Sequence, residues 1–118
     1  HPERNTKIMK QPNILYELLS RGCLSQITAG SYVGTFGHKV QRFSKQLLQT
    51  GQVYIFASDA HNLPNRGYEM TNAFAKLDHE FGYDYVSRLS ENSKRIINGD
   101  NVLPNSFSEI KTHLFHLF

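Results

Sequence analysis

The most chemically suggestive residues in this sequence are Asp59 and His61, separated by Ala60 and set directly after the apolar run Val53-Tyr54-Ile55-Phe56-Ala57. In an extended segment the side chains alternate, so Asp59 and His61 project to the same side. A carboxylate oxygen and an imidazole nitrogen a few ångströms apart suit Mn, Fe or Zn. In α/β barrels the functional groups collect at the C-terminal ends of strands, which is where this pair falls. The same residues also fit a structural part, an Asp capping the next helix with a His bonded nearby, and an isolated D-x-H does not choose between the two. His1 is a further candidate ligand. Arg4 beside it carries the planar fork that matches phosphate oxygens and stays charged at any relevant pH; by position alone both also fit an exposed chain end. Arg66 follows Asp59 by one loop and either converges on the same site or is a surface charge.

The remaining reactive side chains point elsewhere. Cys23 follows Gly22 at a strand entrance and reads as a small buried hydrophobe. It cannot head the C-x5-R loop of cysteine-dependent phosphatases, because Ala29 occupies the position that needs arginine. As the single cysteine it has no internal disulfide partner, so nothing asks for an oxidising compartment. His38, His79, His113 and His116 sit on helical segments where packing or surface roles suffice. The sequence has no Walker loop, dinucleotide fingerprint or nucleophile elbow.

These residues need a scaffold, and hydrophobic periodicity outlines one. Pro12 opens a helix with Ile14, Leu15, Leu18 and Leu19 on one face and Gly22 past its end. Residues 24–28 read as a strand, followed by a glycine-rich loop holding Gly30, Gly34 and Gly37. Val40, Phe43, Leu47 and Leu48 mark a helix from His38 to Thr50, and residues 53–58 a buried parallel strand. Met70, Ala73, Phe74, Leu77 and Phe81 mark another helix, with shorter ones expected over 83–89, 93–97 and from Ser106 onward. Alternating helices and strands predict an α/β fold with a parallel sheet. Two strands leave open edges, so a further strand is expected upstream of His1.

Composition bounds the rest. At 118 residues the chain is one domain. Aromatic residues at 12% and charged ones at 19% separate it from disordered compositions. The longest apolar run is far short of the roughly 20 residues a membrane span needs, and there is no signal-peptide pattern, which predicts a cytoplasmic protein without membrane insertion. The net charge of +3 is mild, and Lys39, Arg42 and Lys45 read as a solvated helix face, so no nucleic-acid partner is expected. The chain opens without methionine on three polar or charged groups in its first four residues, which predicts an excerpt or a trimmed product.

Taken together, His1-Pro2-Glu3-Arg4, Ala29-Gly30-Ser31 with Gly34-x-Phe36-Gly37, and Ala57-Ser58-Asp59-Ala60-His61-Asn62 resemble the later half of the PHP-type (polymerase and histidinol phosphatase) tyrosine-protein phosphatases of bacterial capsule and exopolysaccharide loci. The resemblance covers residues 1–100, a partial phosphatase domain, and leaves 101–118 as a variable helical tail. It implies the C-terminal portion of a distorted (β/α)7 TIM-like barrel, incomplete in this chain, with a cluster of divalent metals, usually Mn2+, at its mouth. By that resemblance His1, Asp59 and His61 are metal ligands, while Arg4 and Arg66 bind substrate phosphate. The implied reaction is hydrolysis of phosphotyrosine by a metal-activated water, on a protein such as a polysaccharide-synthesis tyrosine kinase.

The family's H-x-H motif and its further acidic ligands are absent from these residues, so the chain alone is expected to bind metal weakly and turn over little. Uncovered apolar surface leads us to expect self-association. Two other readings stay open at this stage: a non-catalytic binding module, and another PHP phosphoesterase such as a histidinol-phosphate phosphatase.

Overall fold

Apolar residues spaced three and four apart account for most of the regular structure. The structure, a computed structural model, describes residues 1–58 and 66–111, and of residues 66–68 the backbone alone. A 3-10 turn, Pro2–Arg4, leads into α1 (Thr6–Lys10) and α2 (Asn13–Ser20). Strand β1 (Gln26–Thr28), α3 (Ala29–Val33), α4 (His38–Gln49) and β2 (Ile55–Ala57) follow, then α5 (Arg66–Phe81) and α6 (Tyr83–Asn98). No helix among the described residues is long and apolar enough to cross a membrane.

The two strands pair in parallel, with Gln26, Ile27 and Thr28 opposite Ile55, Phe56 and Ala57. Both are shorter than the sequence predicts; ahead of the ladder the Ser25 carbonyl accepts from the Tyr54 N–H at 3.1 Å and from the Ile55 N–H at 3.4 Å. The core forms around this pair. Ile27, Leu47, Val53, Leu77 and Leu89 are fully buried, and the Phe56 ring packs edge-on against Phe74 at 5.3 Å and beside Tyr32 at 5.8 Å.

Four local expectations are corrected. The glycine-rich stretch after β1 is not all loop: Ala29–Val33 form α3, whose small residues Ala29, Gly30 and Ser31 are buried. The helix ends where Gly34, at φ +100°, takes a left-handed conformation that residues with a Cβ rarely adopt. The two short helices expected over 83–97 are one continuous α6, since its central Asn92 does not break the helix but donates to the Tyr54 carbonyl at 2.9 Å. Cys23 is exposed, not buried, because it lies beyond the helix end formed by Gly22 (φ +95°), its N–H bonded back to the Leu18 carbonyl. Residues 106–111 are irregular rather than helical, and residues 112–118 lie outside the described residues.

The segment after α6 is stitched to the strand connection. Asn105 is buried, and its side-chain amide donates to both the Gly51 and Val53 carbonyls at 3.0 Å. Its own N–H is received by the Tyr54 hydroxyl. Gly51 sits at φ +74°, and a Cβ there would run into the Ser106 carbonyl, so the α4 terminus and the tail fit only around glycine. Asn105→Ala strands the buried Val53 carbonyl and the part-buried Gly51 carbonyl and is expected to cost about 1–3 kcal/mol. Leu103→Ser, at an exposed position, should change stability by less than about 0.5 kcal/mol. Urea unfolding of the two variants checks this.

Candidate active site

Parallel pairing sends both strand C-termini to one edge of the sheet. Thr28 ends β1 opposite Ala57, and Ser58 leads from there into Asp59. The first four residues arrive at this same edge. In the 3-10 turn the Arg4 N–H bonds the His1 carbonyl at 3.2 Å, which winds the turn so that Glu3 faces inward while His1 and Arg4 face solvent. Asn5 then caps α1, its side chain accepting from the Ile8 N–H at 3.0 Å.

Glu3 is completely buried. Its Oε2 accepts from the Thr28 N–H at 2.9 Å and from the Ser31 hydroxyl at 2.6 Å, bonding the turn to the end of β1 and to the first turn of α3. Its Oε1 is buried with no hydrogen-bond partner. The Thr28 hydroxyl lies 3.5 Å from His1 Nδ1, a contact at the outer limit of hydrogen bonding. The Arg4 guanidinium lies over the Phe36 ring, 4.1 Å from its centroid, a cation–π arrangement.

The loop between α3 and α4 also reaches α5. Thr35 donates through its hydroxyl to Glu69 Oε1 at 2.8 Å, in the first turn of the helix that Arg66 opens. Further along, the Tyr32 hydroxyl donates to Glu80 Oε1 at 2.5 Å and Lys45 to Oε2 at 2.7 Å, while Lys76 donates to the Tyr32 carbonyl at 2.9 Å and lies over its ring. Burial pushes the Glu80 carboxyl up, but the bonds from Lys45 and Tyr32 and the charge of Lys76 outweigh it and hold the group below the usual carboxylate range. Burial, reinforced by the bond to Glu80, raises the Tyr32 hydroxyl well above the usual phenol range.

Among the sequence candidates, then, His1 and Arg4 stand together at the C-terminal edge of the strand pair. Arg66 begins the helix tied to the loop beneath Arg4, with its side chain not described. Asp59 and His61 lie outside the described residues. The sequence motifs include Glu3, Ser31 and Phe36 but give none of them a role, and Thr28 lies outside those motifs; only the winding of the turn reveals that Glu3 points inward. Among the described residues no three His, Cys, Asp or Glu side chains form a metal-holding group. The donor chemistry fits a divalent transition metal to a limited extent: an exposed imidazole stands at the edge from which a carboxylate and a second imidazole follow in sequence.

An α/β chain with its polar groups gathered at the C-terminal edge of parallel strands is of the class that binds at strand ends. Within that class, residues 1–98 match the family described as capsular polysaccharide synthesis, CpsB/CapC, and the chain belongs to it. It is 35% identical over its whole length to the tyrosine-protein phosphatase YwqE of Bacillus subtilis, covering 47% of that protein. To the tyrosine-protein phosphatase CpsB of Streptococcus agalactiae it is 29% identical, over 82% of this chain and 42% of that one. Its structure superimposes with a TM-score of 0.88, at 35% identity, on a solved structure from the work on YwqE and Streptococcus pneumoniae CpsB, which are described as unique metal-dependent tyrosine phosphatases. That match covers 94% of this chain and 45% of the other. The chain thus spans about half the length of the relatives it matches.

The Glu80 network, which joins α3, α4 and α5, predicts a stability that depends on pH. A carboxyl whose folded pKa is depressed contributes stability above its unfolded value of about 4.3 and loses it as pH falls through the folded one. Unfolding free energy should therefore drop from pH 7 to pH 3, and Glu80→Gln should show a smaller drop over the same interval. Chemical denaturation at the two pH values measures both.

Proposed function

We propose that this chain forms one side of the active site of a metal-dependent protein-tyrosine phosphatase linked to capsular or exopolysaccharide synthesis, with its substrate phosphotyrosine on a protein such as a polysaccharide-synthesis tyrosine kinase. The observation that carries the reading is the placement of His1 and Arg4 at the strand edge that runs into Asp59, in a member of the CpsB/CapC family. His1, Asp59 and His61 would hold the metal, Mn2+ by preference. Bound there, a divalent metal lowers the pKa of water and neutralises charge on the transferring phosphoryl group.

The protein's own groups do the rest. Arg4, steadied over Phe36, presents a planar cation to the phosphate oxygens, and Arg66 at the start of α5 would supply a second. Their positive field grows more useful as negative charge spreads over the phosphoryl oxygens in the transition state. The complete fold in this reading is a distorted (β/α)7 PHP barrel, to which residues 1–100 contribute a C-terminal portion. A cytoplasmic location suits such a substrate. Three ligands are too few for a metal cluster, so the chain by itself should turn over slowly at best.

The test is hydrolysis of a phosphotyrosine peptide by the intact gene product carrying this sequence, with and without added Mn2+. Turnover should require the metal and vanish in Asp59→Ala. Arg4→Ala and Arg66→Ala should each lower kcat by about 10²–10³, as loss of one transition-state donor does. Metal-independent turnover, or full activity in Asp59→Ala, would refute the reading.

A further inference from the structure

A buried carboxylate is a costly way to fill space, and Glu3 is completely buried. Burying a charge is unfavourable unless hydrogen bonds replace the lost water, and an apolar side chain of similar volume would fill the same hole without that penalty. What an apolar residue cannot do is accept. Glu3 Oε2 takes two donors from two different elements: the backbone N–H of Thr28 at 2.9 Å and the Ser31 hydroxyl at 2.6 Å. Those bonds fix the roll of the 3-10 turn about its own axis, which hydrophobic burial, being non-directional, leaves free. The residues whose direction depends on that roll are His1, two positions before Glu3, and Arg4, one position after it.

Thr28 links the two sides of this clamp. Its N–H holds Glu3 at 2.9 Å, while its hydroxyl lies 3.5 Å from His1 Nδ1 and so stands beside the ring. Ser31 belongs to the same helix whose following loop carries Phe36 beneath Arg4. One carboxylate therefore sets the bearing of both groups.

We propose that Glu3 is a positioning residue: through Thr28 and Ser31 its carboxylate aims His1 at a metal and Arg4 at a phosphate. The proposal rests on the roles given to His1 and Arg4 above. It assigns Glu3 no contact with metal, phosphate or reacting atoms.

The test uses the intact gene product and two probes, Mn2+ alone followed by titration calorimetry and inorganic phosphate as a competitive inhibitor. Glu3→Met fills the buried volume but accepts nothing, whereas Glu3→Gln keeps an acceptor oxygen. Glu3→Met is expected to stay folded by circular dichroism, to bind Mn2+ about 10–100-fold more weakly, the usual effect of removing a group that orients a ligand, and to be inhibited less by phosphate. Glu3→Gln should recover most of both. Ser31→Ala, which removes one donor and leaves the backbone one, should weaken Mn2+ binding by less than Glu3→Met and serves as the decisive variant should Glu3→Met not fold. Folded Glu3→Met or Ser31→Ala with unchanged Mn2+ and phosphate affinities overturns the inference. His1→Ala separates the two levels: unchanged Mn2+ binding in that variant overturns the metal role of His1 and the inference with it. Weakened binding in His1→Ala beside normal binding in Glu3→Met sinks the inference alone.

Discussion

Two strands of three residues each can lie side by side in parallel only if a long connection carries the chain back to the starting end, and most of this molecule follows from that requirement. Here α3 and α4 make the return, from Thr28 to Ile55. The face that carries Ile27 and Phe56, partners in register, is covered: both side chains are nearly or wholly inaccessible and Phe74 of α5 packs on Phe56, while Gln26 on the other face is exposed. Parallel pairing also sends both chain directions out at one edge. Had the pair been antiparallel, Thr28 and Ala57 would lie at opposite ends, and the groups that follow them could not meet.

At that edge α3 acts as a hub, although it has no claim to stability of its own. Five residues are too few to nucleate a helix in water. Its existence depends on what it touches: Glu3 at its first turn, Glu80, Lys45 and Lys76 around Tyr32, and Glu69 reached from the loop that follows. The exposed ion pair of Glu91 with Arg95 contributes little by comparison, since such pairs are worth about 0–1 kcal/mol. The directional, part-buried bonds around α3 set the relative placement of the turn that carries His1 and Arg4 and the helix that Arg66 begins. Small residues at Ala29, Gly30 and Ser31 let those neighbours approach closely.

Among the described residues, a cavity of about 500 Å³ lies beside the 3-10 turn and the entrance to β1, where Leu24, Ser25 and Gln26 line it. Its walls run from His1 and Arg4 to Ile8, Leu15, Leu18 and Leu24, so one end is polar and the other apolar. Leu18 and Leu24 are exposed there at 42% and 47%.

Much of this was legible in the sequence because it depends on local pattern. The spacing of Val40, Phe43, Leu47 and Leu48 identifies α4, the continuous apolar run over 53–57 identifies a buried strand, and the family motifs single out His1 and Arg4. The helix α3 was not legible, since a run of small residues and glycines carries no helical period and folds only against its neighbours. Nor was the single α6, expected as separate helices over 83–89 and 93–97; Asn92 between them is buried and donates to the Tyr54 carbonyl. The inward turn of Glu3 belongs with these. Periodicity reports which side chains avoid water, and a carboxylate gives no such signal. Its burial was decided by two donors that lie 25 and 28 residues away in sequence, and only the folded chain brings them within reach.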